Sequence, residues 1–433
     1  MNLRNFKFEK KVIYSWNNNI KSKALVIYPK NIEQLKIILK NLKKNKLKYL
    51  IRTGSCSYDS KSINLNMDTL VISLKFLNKI KKIDRKNKLI TVEAGAFISH
   101  VIKIIKEKSL TLYSVPGGEK VSIGGAISAN TIGKDSSSKI SSFGDSILSL
   151  DVLTENGKIK NYSKNTLNKF VGAFGVNGII LSAKIKLKHM KSQNLLVSTK
   201  ILNNITEIKK EFNKKFEYHY IQVDPFFRKN HYAISFQANS IISNRNVFKK
   251  INLRSYKIDE HFLKFLGFFI NFFTWKIFYK LFFLVSKKNK ELIDIHNFHY
   301  NSRYKHLIPK LCKDGLNDYE ILIKDNFEIK IKNLFEFLRK FKIYPMYIII
   351  KKLYKSQKKY FYQFNENGYA VAVALNKSLI SSEKLSIFKS FLEKNKYNLN
   401  LAKTDEKQVI LKRNDNKLFL SLYKKMILDR NEI

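Results

Sequence analysis

Twelve of the fifteen glycines in this chain of 433 residues lie before residue 190, most of them in three short segments that border apolar runs. Glycine lets a backbone turn tightly or lets another group come close, so these segments mark places where main chain must meet something. The first is Arg52-Thr-Gly-Ser-Cys-Ser-Tyr-Asp-Ser60, directly after the apolar run 49–51. The second is Pro116-Gly-Gly-Glu-Lys-Val-Ser-Ile-Gly-Gly-Ala-Ile-Ser-Ala-Asn130, continued by Gly133-Lys134. The third is Gly172-Ala-Phe-Gly-Val-Asn-Gly-Ile-Ile180. Small residues after a strand allow successive N–H groups to point at an anion, and a pyrophosphate is the usual guest. Neither a Walker pattern nor GxGxxG is present.

The periodicity around these segments predicts strands at 24–28, 49–51, 70–74, 89–93 and 149–153, with helices over 32–42 and 98–108. Asn156-Gly157 predicts a hairpin. Past about residue 190 glycine becomes rare and aromatics dense. Strand patterns at 220–223, 232–236, 346–350 and 370–375 then alternate with a helical one at 334–341, as in a separate α+β domain. From Thr404 onward the chain reads as a polar, basic helix.

Lys and Arg number 82 against 34 Asp and Glu, a formal charge of +48. The lysines are spread over the chain, and Asn, Ile, Phe and Tyr are inflated with them. These residues share A/T-rich codons, so the bias reads as genome composition and no nucleic-acid partner is expected. The two cysteines, Cys56 and Cys312, form no CxxC pair and stand near no His cluster. Neither a disulfide framework nor a metal site is expected. The N-terminus lacks a signal-peptide core, so a cytoplasmic location is expected.

Residues 262–285 are almost wholly aromatic and aliphatic, interrupted by Lys264, Asn271, Lys276 and Lys280. The interruptions argue against a transmembrane helix, and the polar residues fall on no single helical face. Two readings stand: a buried hairpin or helix, or an interfacial patch with lysines on lipid headgroups.

Together the three glycine segments resemble the PCMH-type FAD-binding domain of vanillyl-alcohol oxidases, aldonolactone oxidases and their relatives. The resemblance implies a two-subdomain FAD-binding domain over 1–192. It also implies an α+β substrate or cap domain over 193–403, with a membrane-facing segment at 262–285, and a tail over 404–433 that returns to the FAD domain. The motifs are most similar to those of the decaprenylphosphoryl-β-D-ribose 2′-oxidase group: Val121-Ser-Ile-Gly-Gly-Ala-Ile127, Ile132-Gly-Lys-Asp135, Ser142-Phe-Gly-Asp145 and Leu150-Asp-Val-Leu-Thr-Glu-Asn-Gly157.

By the same resemblance, FAD would bind non-covalently and meet Arg52, Thr53, Gly54, Ser55, Cys56, Ser57 and Tyr58 of the first loop. In the second segment it would meet Pro116, Gly117, Ser122, Ile123, Gly124, Gly125, Ala126, Ile127, Ile132 and Gly133, and in the third Gly178, Ile179 and Ile180. The family's active-site pattern implies that Lys403, in Leu401-Ala-Lys-Thr-Asp405, would stand beside the flavin as an ammonium or as a neutral base. Lys352 and Lys134 would hold the substrate. Tyr319, Glu320 and Ala372 would face it, Glu320 where the group has Gln and Ala372 where it has Cys. Ile132, Ser136 and Ser137 replace family histidines, while His296 and His299 lie in an aromatic-rich segment where surface or core histidines are the plainer reading. Cys56 stands where many relatives attach FAD through a His.

The implied activity is oxidation of a secondary alcohol on a sugar or polyprenyl-phosphate sugar, in cell-wall or glycan assembly, at the inner face of a membrane. A short-chain reductase would be the partner. An aldonolactone or polyol oxidase, or a flavin-binding membrane-associated protein without catalysis, are the alternatives.

Overall fold

The computed structural model describes residues 6–58, 62–63, 69–135, 140–228, 232–241, 260–286, 290–300, 308–364 and 366–403. Ser136, Ser137 and the expected tail at 404–433 lie outside them.

Parallel strands need a crossover connection, and the first apolar-periodic stretch supplies one. β1 (Phe8–Tyr14), β2 (Lys21–Ile27), β3 (Tyr49–Arg52) and β4 (Leu70–Ser73) form a sheet in the order β1-β2-β4-β3, with β2 and β3 parallel to β4. Helix α1 (Ile32–Lys44) links β2 to β3. Its N-cap Asn31 accepts the Gln34 N–H at 2.9 Å, and Leu35, Ile38 and Leu42 are buried against Ile27, Leu70 and Ile72. The glycine-rich first loop leaves the end of β3.

The second sheet is antiparallel. β5 (Ile80–Asp84), β6 (Leu89–Glu93), β8 (Ile147–Leu153), β9 (Ile159–Ser163) and β10 (Ile179–His189) lie in the order β5-β6-β10-β8-β9, and β7 (Leu110–Leu112) also pairs with β10. The β8–β9 turn places Gly157 at φ 73°, as Asn156-Gly157 predicts. α2 (Ile98–Ile105) and α3 (Ile123–Ser128) bury Val101, Ile102, Ile123 and Ile127 in the core of this sheet.

The third sheet begins at Asn194. β11 (Asn194–Leu202), β12 (Tyr218–Val223), β13 (Ala233–Ser240), β14 (Lys290–Asp294), β15 (Leu316–Ile323), β16 (Tyr347–Leu353), β17 (Gly368–Asn376) and β18 (Asn398–Leu399) run in the order β14-β11-β13-β12-β16-β17-β15-β18. α4 (Ile205–Phe212), α9 (Phe327–Lys340) and α10 (Ser382–Lys394) cover one face, against Ile348, Ile350, Tyr319 and Val371. The remaining helices of this half are α5 (Glu260–Phe268), α6 (Phe272–Val285), α7 (Ile295–Tyr300) and α8 (Ile308–Leu311). Trp275, Tyr279 and Phe283 of α6 pack on the other face, against Ile234, Ile349, Ala372 and Ala374. The fold is thus α+β: a two-sheet domain and an α+β cap.

Residues 262–285 are two helices rather than one. Asn271 accepts N–H bonds from Phe273 and Thr274 and starts α6 afresh, which explains why no single helical face fits the whole segment. Among the described residues no helix is long and apolar enough to cross a membrane.

Candidate cofactor and active site

A cavity of about 630 Å³ lies where the three sheets meet, and all three glycine segments border it.

The first loop is built around Arg52. Its Nε donates to Ser55 Oγ at 2.8 Å, Nη2 to the Tyr14 carbonyl at 2.8 Å, and Nη1 to the carbonyl and hydroxyl of Ser62. The guanidinium therefore braces the loop. Burial lowers its pKa to about 10. Ser55 turns through φ 60°, the kind of turn in which backbone N–H groups converge on an anion. Any Cβ at Gly54 would overlap the Lys120 carbonyl, and Thr53 and Ser122 join their hydroxyls. The first and second glycine segments thus form one continuous wall.

In the second segment the Ser122 hydroxyl accepts the Gly125 N–H at 3.2 Å and caps α3. Gly124 and Gly125 then line the cavity, together with Pro116, Gly117 and Ser122, while helical periodicity turns Ile123, Ala126 and Ile127 into the core. Those three support the wall instead of touching its contents, as does Gly133, whose N–H donates to Ser114 Oγ at 2.9 Å. Ile132, Gly178, Ile179 and Ile180 do line the cavity. Gly172, at φ 75°, lets the Tyr362 backbone of the cap close onto the third segment. Asp145 fastens the same junction, accepting from Ser356 and, at 3.0 Å, from the Tyr360 hydroxyl.

The cap supplies the remaining wall by strand register. Ile349, Ala372 and Glu320 stand side by side across β16, β17 and β15, and all three line the cavity with Tyr347, Lys351 and Lys403. Lys403 Nζ lies 3.0 Å from Asp318 Oδ2 and 3.5 Å from Glu320 Oε2. The same Asp318 oxygen accepts from the hydroxyls of Tyr58 (3.0 Å) and Tyr347 (2.9 Å). Glu320 pairs with Lys351 at 3.4 Å and accepts from Asn400 at 2.7 Å. Burial by itself would raise the Glu320 carboxyl, but Lys403 and Lys351 outweigh it and hold it at about 2. Burial would lower Lys403, and Asp318 and Glu320 reverse that, so its pKa lies above the ordinary lysine value. Burial and the Asp318 charge raise both tyrosines well above theirs.

Strand alternation corrects two sequence expectations. Lys352 points away from the cavity and donates to the Phe212 carbonyl at 3.3 Å, at the end of α4. Its neighbour Lys351 is the cavity lysine. Tyr319 likewise faces the helices, its ring 5.4 Å from that of Phe388, while Glu320 faces the cavity. Lys134 does not line the cavity either. It is buried with its ammonium 5.0 Å from the Phe298 ring and 5.3 Å from that of Tyr220, and burial together with Lys351 lowers its pKa to about 8. His299 is buried, with no hydrogen-bond partner for either ring nitrogen among the described residues, and burial lowers its pKa. Sequence reading missed Asp318, Lys351, Tyr347 and Asn400; the alternation of β15 and β16 was the available signal.

The cavity suits a flavin dinucleotide. Main chain and short hydroxyls of three segments offer donors for a pyrophosphate, a glycine–alanine floor leaves room for a flat ring, and two lysines stand at the cap end. Cys56 also lines the cavity, and burial pushes its thiol up to about 12. The protonated thiol is the unreactive form. Among the described residues no cluster could hold a metal ion.

Comparison with known proteins agrees. Residues 23–163 match the FAD binding domain family. Decaprenylphosphoryl-beta-D-ribose oxidase of Mycolicibacterium smegmatis is 29% identical over 143 residues, 32% of this chain and 31% of that protein. The mitochondrial L-galactono-1,4-lactone dehydrogenase of Arabidopsis thaliana is 25% identical over 188 residues, 43% of this chain and 30% of that protein. These matches span less than a third of either relative. Among solved structures, cholesterol oxidase from B. sterolicum superposes with a TM-score of 0.71 at 11% identity, covering 90% of this chain and 84% of that one. Alkyldihydroxyacetonephosphate synthase gives 0.62 at 13%, covering 96% and 76%. The fold, the cavity and these matches give one assignment: residues 23–163 form a PCMH-type FAD-binding domain, and FAD is its cofactor.

Proposed function

We propose that this protein is an FAD-dependent oxidoreductase that oxidises a secondary alcohol of a sugar or sugar-lipid. The observation that carries the reading is Lys403, clamped by two carboxylates in the wall where the cap closes on the glycine-lined cavity. FAD, when bound, supplies the acceptor for the hydride. Lys403 supplies a fixed positive charge where negative charge develops. Its raised pKa favours the ammonium over the neutral amine. Lys351 is placed to orient hydroxyl or phosphate oxygens of the substrate, and Ala372 leaves space between Ile349 and Glu320. The cap is fastened over this cavity through Asp145 and Tyr362.

The likeness to the lactone dehydrogenase over 188 residues favours a second reading, an aldonolactone as substrate. Anaerobic mixing of the FAD-loaded protein with pentosyl phosphodiesters and with aldonolactones tests both. Bleaching of the flavin band by the first class supports the primary reading; bleaching by lactones alone supports the second. No bleaching by any alcohol would leave a flavin-binding protein without this activity.

A further inference from the structure

Ten large apolar side chains stand exposed between Phe262 and Val285, against eight in the rest of the described residues. On α6 they resolve into two stripes. Trp275, Tyr279 and Phe283, four residues apart, are buried on the cap sheet. Phe273, Ile277, Leu281 and Leu284 follow the same helical spacing on another side and are 51–73% exposed. On α5, Phe265 and Phe268 are 57% and 66% exposed. A helix apolar on two sides belongs between two apolar surroundings. The cap sheet is one, and monomers rarely leave a patch of this size to water.

We infer that the outer face of α5 and α6 lies in the plane of an anionic lipid bilayer. Charge selects this occupant. Residues 261–285 contain no acid, and Lys276 and Lys280, one turn apart and exposed, flank the outer stripe of α6. Lys313, just past the end of α8, lies 5.0 Å from the Phe268 ring. Lysine is depleted at protein interfaces and favoured where a helix rests on headgroups. The length agrees: the 14 residues of α6 rise about 21 Å, short of the roughly 30 Å of a hydrocarbon core, so the helix lies flat rather than across.

The inner stripe of α6 packs in one cluster with Tyr347, Ile349 and Ala372, which line the cavity. α6 therefore flanks the cavity on the same face of the cap sheet, and the alcohol served there is one carried on a lipid. This last step rests on the oxidoreductase reading; the membrane contact does not.

The test is co-sedimentation of the full FAD-loaded chain with phosphatidylcholine vesicles, with and without phosphatidylglycerol, alongside sedimentation velocity in lipid-free buffer. The wild type pellets with the anionic vesicles. A triple variant Phe273→Ser, Ile277→Ser, Leu281→Ser, altered only on the exposed stripe, stays in the supernatant with its flavin spectrum intact. Lys276→Glu with Lys280→Glu weakens partitioning at least about tenfold, and Ile329→Ser, an exposed apolar residue on α9, changes nothing. Wild-type protein that ignores anionic vesicles overturns the inference. So does a lipid-free dimer that the triple variant dissociates, which would assign this face to a second copy of the chain.

Discussion

Lys403 and Asp318 meet at 3.0 Å, and the same carboxylate oxygen also accepts from Tyr58 of the first glycine-containing loop and Tyr347 of the cap. One buried charge thereby joins the two domains at the wall where chemistry is proposed. Replacing Lys403 by Met removes the cation and leaves Asp318 buried without it. Turnover is expected to fall on the order of a hundredfold or more, with FAD retained in the absorption spectrum. Asp318→Asn keeps the lysine and removes its larger counter-charge. Because burial by itself lowers Lys403, its pKa drops, and the kcat profile gains a falling basic limb that wild type lacks below about pH 10.

The two adjacent lysines of β16 separate site from scaffold. Lys351→Ala raises KM for an alcohol substrate about tenfold or more, while Lys352→Ala leaves KM and kcat unchanged. The second change costs at most about 1 kcal/mol of stability through the lost contact at the end of α4. Steady-state kinetics with urea unfolding of both variants checks the pair; the opposite pattern would restore Lys352 to the substrate side.

Arg52 braces the first glycine-containing loop from behind. Arg52→Ala leaves the Tyr14 and Ser62 carbonyls without their donor, at about 1–3 kcal/mol, and lets the loop relax. FAD affinity measured by fluorescence titration is expected to fall more than tenfold.

Glu320 makes the site acid-sensitive. Its folded pKa of about 2 lies below the ordinary 4.5, so its stabilisation is fully present above pH 4.5 and is lost as pH falls toward 2. The contribution is on the order of 3 kcal/mol. Glu320→Gln lacks this dependence. The stability difference between wild type and variant should therefore shrink as urea unfolding is repeated from about pH 7 down to about pH 3.

The glycine segments were legible because what they encode is local: close approach of main chain to main chain at Gly54 and Gly172, and a turn through Ser55. The α1 crossover and the Asn156-Gly157 hairpin were legible for the same reason. The cap half of the site was read less well because a strand hides which of two neighbours faces inward. A one-residue choice moved the expected lysine from Lys351 to Lys352 and set Tyr319 beside Glu320 on the cavity side. Asp318 escaped notice because its partners, Tyr58, Tyr347 and Lys403, are distant in sequence. The split of 262–285 turned on one capping residue, Asn271, inside an apolar run.

The most direct measurement is the absorption spectrum of the purified protein before and after acid precipitation. Flavin bands are expected in the native protein, with the flavin released to the supernatant, since the Cys56 thiol is held protonated. Flavin retained in the pellet and lost from it in Cys56→Ser would show a covalent link instead. A colourless protein that takes up no added FAD would contradict the assignment of FAD as cofactor.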